Sequence, residues 1–232
     1  MNEECWYYIE ANEEMPLGGC VQSKGEDWCD VHCPIFKNMK AAFIHSGLEE
    51  QYWYPFTLKH VALDSKEVSK IMEIRNNLSS FVENGNNILI QSSKCGNGKT
   101  SWGIKLLQKQ IELNSNQSVT PAHFVYVPSL LLEARKSINN KSNYFDLLVS
   151  ILETCPLVMF DDIASIPLKD YDLLILSSII EKRLTRKLSS IFTTNCENDV
   201  LKLNLGDRLF DRINRLSTII TFKGGSMRGK DE

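Results

Sequence analysis

The residues best suited to chemistry lie between 88 and 100. An apolar run, Ile88 to Ile90, enters a loop of small residues: Ser93, Lys94, Cys95, Gly96, Asn97, Gly98, Lys99 and Thr100. An amphipathic stretch follows, giving the strand–loop–helix order of a phosphate-binding P-loop. Glycines let backbone N–H groups approach phosphate oxygens without a Cβ in the way. A helix start adds unpaired donors and a partial positive charge. Lys99 would reach the outer phosphates of a nucleotide, and the Thr100 hydroxyl would hold Mg²⁺. The full G-x-x-x-x-G-K-[ST] pattern opens on glycine, where this chain has Ser93. The competing reading is a lysine at an ordinary helix N-terminus.

A carboxylate partner is required, and the apolar run from Cys155 to Phe160 ends in Asp161 and Asp162. A buried parallel strand has this composition, and its carboxyl end delivers side chains to the ligand crevice. Asp161 would bind Mg²⁺, directly or through water, and Asp162 would polarise the attacking water. An Asp-rich turn after a strand is the plainer alternative. A third β-branched run, Ser190 to Thr194, stops at Asn195, an amide suited to orienting that water and equally to forming a turn.

Elements must position these groups. The chain of 232 residues, 43% hydrophobic and 24% charged, suits an α/β domain with a small appendage. A net charge of −3 gives no global basic field, so any nucleic-acid contact must be local. No apolar run nears the roughly 20 residues that cross a bilayer, and Met1 to Cys5 is acidic. The expected setting is therefore cytoplasmic, without a membrane.

Helical patterns cover 35–48, 65–83, 100–112, 144–153, 170–184 and 207–216, and Pro128 opens another by the N1 rule. Strands are expected at 88–91, 123–127, 155–161, 190–195 and 218–222, so the sheet is mostly parallel and doubly wound. Residues 49–62 read as a connector that packs Tyr52, Trp53, Tyr54 and Phe56 onto the next domain. The expected division is an N-terminal module (1–48), a connector and helix (49–84) and the α/β domain (85–232).

Four of the seven cysteines crowd that N-terminal module: Cys5, Cys20, Cys29 and Cys33. Four thiolates suit a tetrahedral structural zinc site. An iron–sulfur cluster takes the same ligands, His32 is an alternative to one of them, and a metal-free module is the third reading. Nothing in the module is strongly basic, so it is expected to bind a protein partner.

On these residues the chain resembles the DnaC/DnaI-type replicative-helicase loaders of the AAA+ ATPases, phage versions included, with the IstB transposition ATPases as relatives. The likeness covers about residues 50–230. It rests on Ser93 to Thr100 as P-loop, Val158 to Asp162 as Walker B strand and Thr193 to Asn195 as sensor 1. Gly206 to Ile213 resembles the arginine-finger helix, and Phe222 to Arg228 the short terminus found in place of a full lid domain.

The resemblance implies an ATPase that assembles as a homo-oligomer with ATP and loads a replicative DNA helicase. Arg212 would act in trans, with Arg208 as rival, and Arg228 would be a sensor-2 arginine or a plain tail charge. It also implies contact with single-stranded DNA, for which Arg135, Lys136, Lys141 and Tyr144 are candidates. Cysteine-bearing modules of such loaders engage the helicase. The alternatives are an IstB-like transposition helper and a nucleotide-gated helicase adaptor or inhibitor.

Overall fold

The computed structural model describes residues 34–138, 143–165 and 167–226. Five strands form one sheet: β1 (Asn87–Gln91), β2 (Ala122–Tyr126), β3 (Leu157–Asp161), β4 (Ser189–Thr194) and β5 (Ser217–Thr221). Their order is β2-β3-β4-β1-β5, and every neighbouring pair is parallel. Parallel neighbours need crossovers, and helices supply them. Along the described chain come α1 (Pro34–Ile44), α2 (Ser65–Asn76), α3 (Leu78–Glu83), α4 (Lys99–Asn114), α5 (Val127–Ser137), α6 (Tyr144–Thr154), α7 (Asp170–Thr185) and α8 (Asn198–Arg215).

The alternation of a pleated strand sorts side chains between two cores. Ile88, Ile90, Leu157, Met159 and Ile191 face the layer built from α1 to α4. Leu89, Val158, Phe160 and Phe192 face the layer built from α5 to α8. Phe160 and Phe192 stack with centroids 5.5 Å apart. On the first face α4 lies directly over β3, because Gly103 has no side chain: a Cβ there would sit 2.6 Å from Met159 Cε.

The described residues before β1, from Pro34 on, contribute to this same core. Phe36, Met39, Ala42 and Phe43 of α1 join Val68 and Ile71 of α2 and Ile104 and Leu107 of α4. The segment after α1 covers the β2 edge: Phe124 N–H donates to Ser46 O at 2.7 Å. The connector aromatics pack as expected. Gln108 Nε2 donates to the carbonyls of Tyr52 (2.8 Å) and Tyr54 (2.9 Å), and Trp53 stacks on Phe43. Cys5, Cys20, Cys29, Cys33 and His32 lie outside the described residues, as do Lys141 and Arg228.

Two element boundaries differ from the sequence expectation. The stretch 65–83 is two helices, because Asn77 leaves helical geometry (φ −110°, ψ 28°) and turns its side chain back to Glu73 O. The helix expected at 207–216 begins instead at Asn198 and is broken at Gly206 (φ 73°, ψ 157°), a conformation in which glycine is strongly favoured.

One buried cation braces the second layer. Arg183 of α7 is fully buried, and burial drops its pKa to about 10. Its guanidinium donates to Leu152 O (2.6 Å), Cys155 O (2.9 Å), Ser190 Oγ (3.0 Å) and Ser189 O, tying the end of α6 to the start of β4. Arg183→Met keeps bulk but strands buried acceptors, each costing about 1–3 kcal/mol. The expected result is a loss of about 3 kcal/mol or more in denaturant unfolding followed by circular dichroism, a large part of a stability of about 5–15 kcal/mol.

Candidate nucleotide site

The loop between β1 and α4 has the shape its composition implies. Gly96 (φ 77°) and Gly98 (φ 88°) are both left-handed, and Gly98 is the N-cap of α4. Among the described residues, no internal acceptor takes the N–H groups of Cys95, Gly96, Asn97 or Gly98. Loop form is fixed from within. Ser92 Oγ accepts from Asn97 Nδ2 (2.6 Å) and from Lys94 N–H (3.1 Å). Lys99 is 6% exposed, and its ammonium is held by Lys94 O at 2.9 Å and Asn97 Oδ1 at 3.1 Å.

At the carboxyl end of β3 a single oxygen joins three elements. Asp161 Oδ1 accepts from Thr100 Oγ1 of α4 at 2.9 Å and from Thr193 Oγ1 of β4 at 2.6 Å. Thr193 Oγ1 in turn accepts the Asp162 N–H at 2.9 Å. Burial pushes the Asp161 carboxyl above its ordinary value. The two hydroxyls pull it back, Asp162 raises it further, and Lys99 lowers it.

Asp162 (φ 59°) and Ala164 (φ 58°) are left-handed non-glycine residues, costly conformations that tertiary bonds must enforce. Here β4 does so: Ile163 N–H donates to Thr193 O (2.8 Å), and Thr194 Oγ1 donates to Ile163 O (2.9 Å). The strained turn aims the Asp162 carboxylate at its neighbours. Asn195 Nδ2 donates to Oδ1 at 2.9 Å, and the Tyr126 hydroxyl lies 3.5 Å from Oδ2.

These groups surround a cleft of about 570 Å³. The structure brings Cys95, Gly96, Asn97, Gly98, Lys99, Thr100, Asp161, Asp162 and Asn195 together there, with Thr57 to Lys59 from before α2. Ser93 and Lys94 line a separate cavity of about 410 Å³ instead. Arg208 and Arg212 lie away from the cleft on α8, each 3.1 Å from Glu181 Oε1.

The donor set fits a magnesium nucleotide. A hydroxyl and a carboxylate stand 2.9 Å apart, and Mg²⁺ is bound through few protein oxygens, with phosphates and waters completing the shell. Among the described residues, no group of three or more His, Cys, Asp or Glu could hold a metal ion by itself.

Tyr126 was missed in sequence. The available signal was register: it ends β2 directly opposite Asp161. Its own hydroxyl pKa is raised by burial and by Asp162. Arg135, a candidate DNA contact, lies in an ion pair. Its Nε donates to Asp172 Oδ1 at 3.0 Å and its Nη2 to Oδ2, so the guanidinium is engaged by a fully buried carboxylate. Lys136 pairs with Glu133 at 2.7 Å, and Tyr144 is 59% exposed.

No family model matches the chain. It is 26% identical over 174 residues to the replicative helicase loader DnaC of Buchnera aphidicola subsp. Baizongia pistaciae (strain Bp), a match covering 74% of this chain and 65% of that protein. The fold is that of a DnaC helicase loader crystal structure, with TM-score 0.63, 19% identity and coverage of 75% of this chain and 100% of the other. DnaI gives TM-score 0.55 at 22% identity over 69% of this chain and 87% of its own. AMPPCP-bound DnaA from Aquifex aeolicus gives 0.55 at 16% identity over 72% of this chain and 48% of its own. The likeness to DnaC-type AAA+ helicase loaders therefore holds in sequence and in fold.

Burial raises the Asp161 pKa most, and the Thr193 hydroxyl leads the groups that pull the carboxyl back toward its ionised form. Metal binding needs that ionised form. In Thr193→Val, Asp161 protonates at higher pH. Magnesium-dependent ATP binding, measured by calorimetry across acid pH, is expected to fail at a higher pH than in the unaltered protein.

Proposed function

We propose that this chain, which resembles the DnaC-type AAA+ helicase loaders in sequence and fold, is an ATP-dependent loader of a replicative DNA helicase. The carrying observation is the 2.9 Å contact between Thr100 Oγ1 and Asp161 Oδ1, which joins the P-loop helix to the acid-bearing strand at one point in the cleft. A DnaA protein of the same fold holds AMPPCP, which supports a nucleoside triphosphate as the ligand here.

In this reading the N–H groups of residues 95–98 grip the phosphates, and Lys99 leaves the loop acceptors for the outer phosphate oxygens. Mg²⁺ held by Thr100 and Asp161 would neutralise charge on the β- and γ-phosphates. Asp162 accepts a proton from the attacking water, and Asn195 orients both. Its left-handed backbone fixes the Asp162 carboxylate before substrate arrives, so little reorganisation is needed in the transition state. Arg212 acts in trans on a neighbouring copy's γ-phosphate, where a planar, permanently charged fork is effective.

The helicase is engaged, in the cytoplasm, by the N-terminal cysteine-bearing module, whose Cys5, Cys20, Cys29 and Cys33 would supply thiolates to zinc. Tyr144 and Lys136 contribute to single-stranded DNA contact. Because α1 is built into the core, the segment to remove in a test ends at residue 33.

Lys99→Ala is expected to weaken ATP binding at least about a hundredfold, since charge-assisted bonds to phosphate are lost. Undiminished uptake by calorimetry would overturn the nucleotide reading. Removing 1–33 is expected to leave ATP binding intact and to abolish recovery of the purified host replicative helicase in an ATP-dependent pull-down. Retained recovery would place the helicase contact elsewhere.

A further inference from the structure

We propose that Glu181 is a positioning residue for the arginine that acts on the neighbouring copy: it holds the Arg212 guanidinium by one edge and presents the other. The inference rests on the trans-acting role assigned to Arg212 above, and deepens it.

The geometry begins with the break in α8. At Gly206 the backbone (φ 73°, ψ 157°) leaves the helix, so residues 207–215 take a direction that the first half does not dictate. A Cβ at Gly206 would meet nothing within 4 Å, so this glycine serves the backbone bend rather than close packing. Something must then orient the second half's arginines. Leu209 and Ile213 anchor its inner side in the core. On the outer side, Arg208 and Arg212, one helical turn apart, converge on the same carboxylate oxygen of α7, each 3.1 Å from Glu181 Oε1.

Other charges nearby are paired elsewhere: Arg215 Nε lies 2.7 Å from Asp211 and Lys202 Nζ lies 3.2 Å from Asp207. Glu181 thus serves the two candidate arginines. Its contact with Arg212 runs through Nη1. A guanidinium carries five donors in a plane, so one engaged nitrogen fixes orientation while the opposite edge can still take phosphate oxygens. Arg212 is also the more confined of the pair, with its side chain 39% exposed against 76% for Arg208. A half-exposed ion pair of this kind adds little to stability. It matters for placement, because reacting groups misplaced by about 1 Å lose roughly a hundredfold in rate.

The test uses two mixed subunits. Asp162→Asn supplies an arginine but cannot hydrolyse; Arg212→Ala binds nucleotide but supplies no arginine. Their mixture is expected to regain ATP hydrolysis. Adding Glu181→Gln to the Asp162→Asn subunit should lower the rescued kcat roughly tenfold to a hundredfold with KM unchanged. Glu181→Asp should restore part of it, and the same changes in the Arg212→Ala subunit should do nothing. Unchanged rescue, or an equal loss from either subunit, overturns the positioning role. If the mixture with intact Glu181 shows no rescue, the trans-acting arginine itself is overturned, a result distinct from failure of ATP binding.

Discussion

Asp161 Oδ1 accepts two hydroxyl hydrogen bonds, one from the P-loop helix and one from the adjacent strand β4. The rest of the site depends on that oxygen. A carboxylate buried at the end of a strand is tolerated only where donors or a cation meet its charge. Thr100 and Thr193 supply the donors, and by doing so they fix the spacing between the β1–α4 loop and the strand that delivers acids. The same Thr193 hydroxyl takes the Asp162 N–H and so starts the left-handed turn that presents the second carboxylate. Electrostatics and backbone geometry are therefore set by one cluster rather than by separate devices.

Much of this was legible in sequence, for a physical reason. Phosphate binding by backbone amides demands small residues at fixed spacing, and a metal-assisted site demands an acid at a strand end. Lys99, Thr100, Asp161, Asp162 and Asn195 could be named because their chemistry restricts residue type. Asp162's left-handed backbone was not legible, since aspartate has no strong local preference for it and β4 imposes it. Tyr126 and Glu181 depend on which elements become neighbours, so no local pattern announces them.

Element boundaries failed where tertiary contacts overrode local signals. The expected helix starts only at Asp207, after the glycine, leaving Asn198 to Leu205 out of it. Yet Leu201, Leu205, Leu209 and Ile213 are all buried at a spacing of four residues, running straight through Gly206. That spacing was the available signal; the glycine hid it. The opposite error befell 65–83, where Val68, Ile71 and Leu78 suggest one continuous face although Asn77 interrupts the backbone.

The helices before β1 and the segment after β5 also bear on the nucleotide site. Asp64, 3% exposed, accepts the N–H groups of Lys223 (2.8 Å) and Gly224 (3.1 and 3.0 Å). Gly224 permits this approach, since a Cβ would come 2.1 Å from Val61 Cγ2. The same segment meets the P-loop: Lys94 Nζ donates to Lys223 O at 3.0 Å, and Phe222 N–H donates to Gln91 O at 2.9 Å. A glycine-bearing loop loses much conformational freedom when it wraps phosphates, and bracing it beforehand lowers that cost at binding. Lys94 lies outside the cleft because its task is this bracing contact, while its carbonyl holds Lys99 from the other side. The residues flanking the sheet at both ends thus brace the first turn of the loop from outside the cleft.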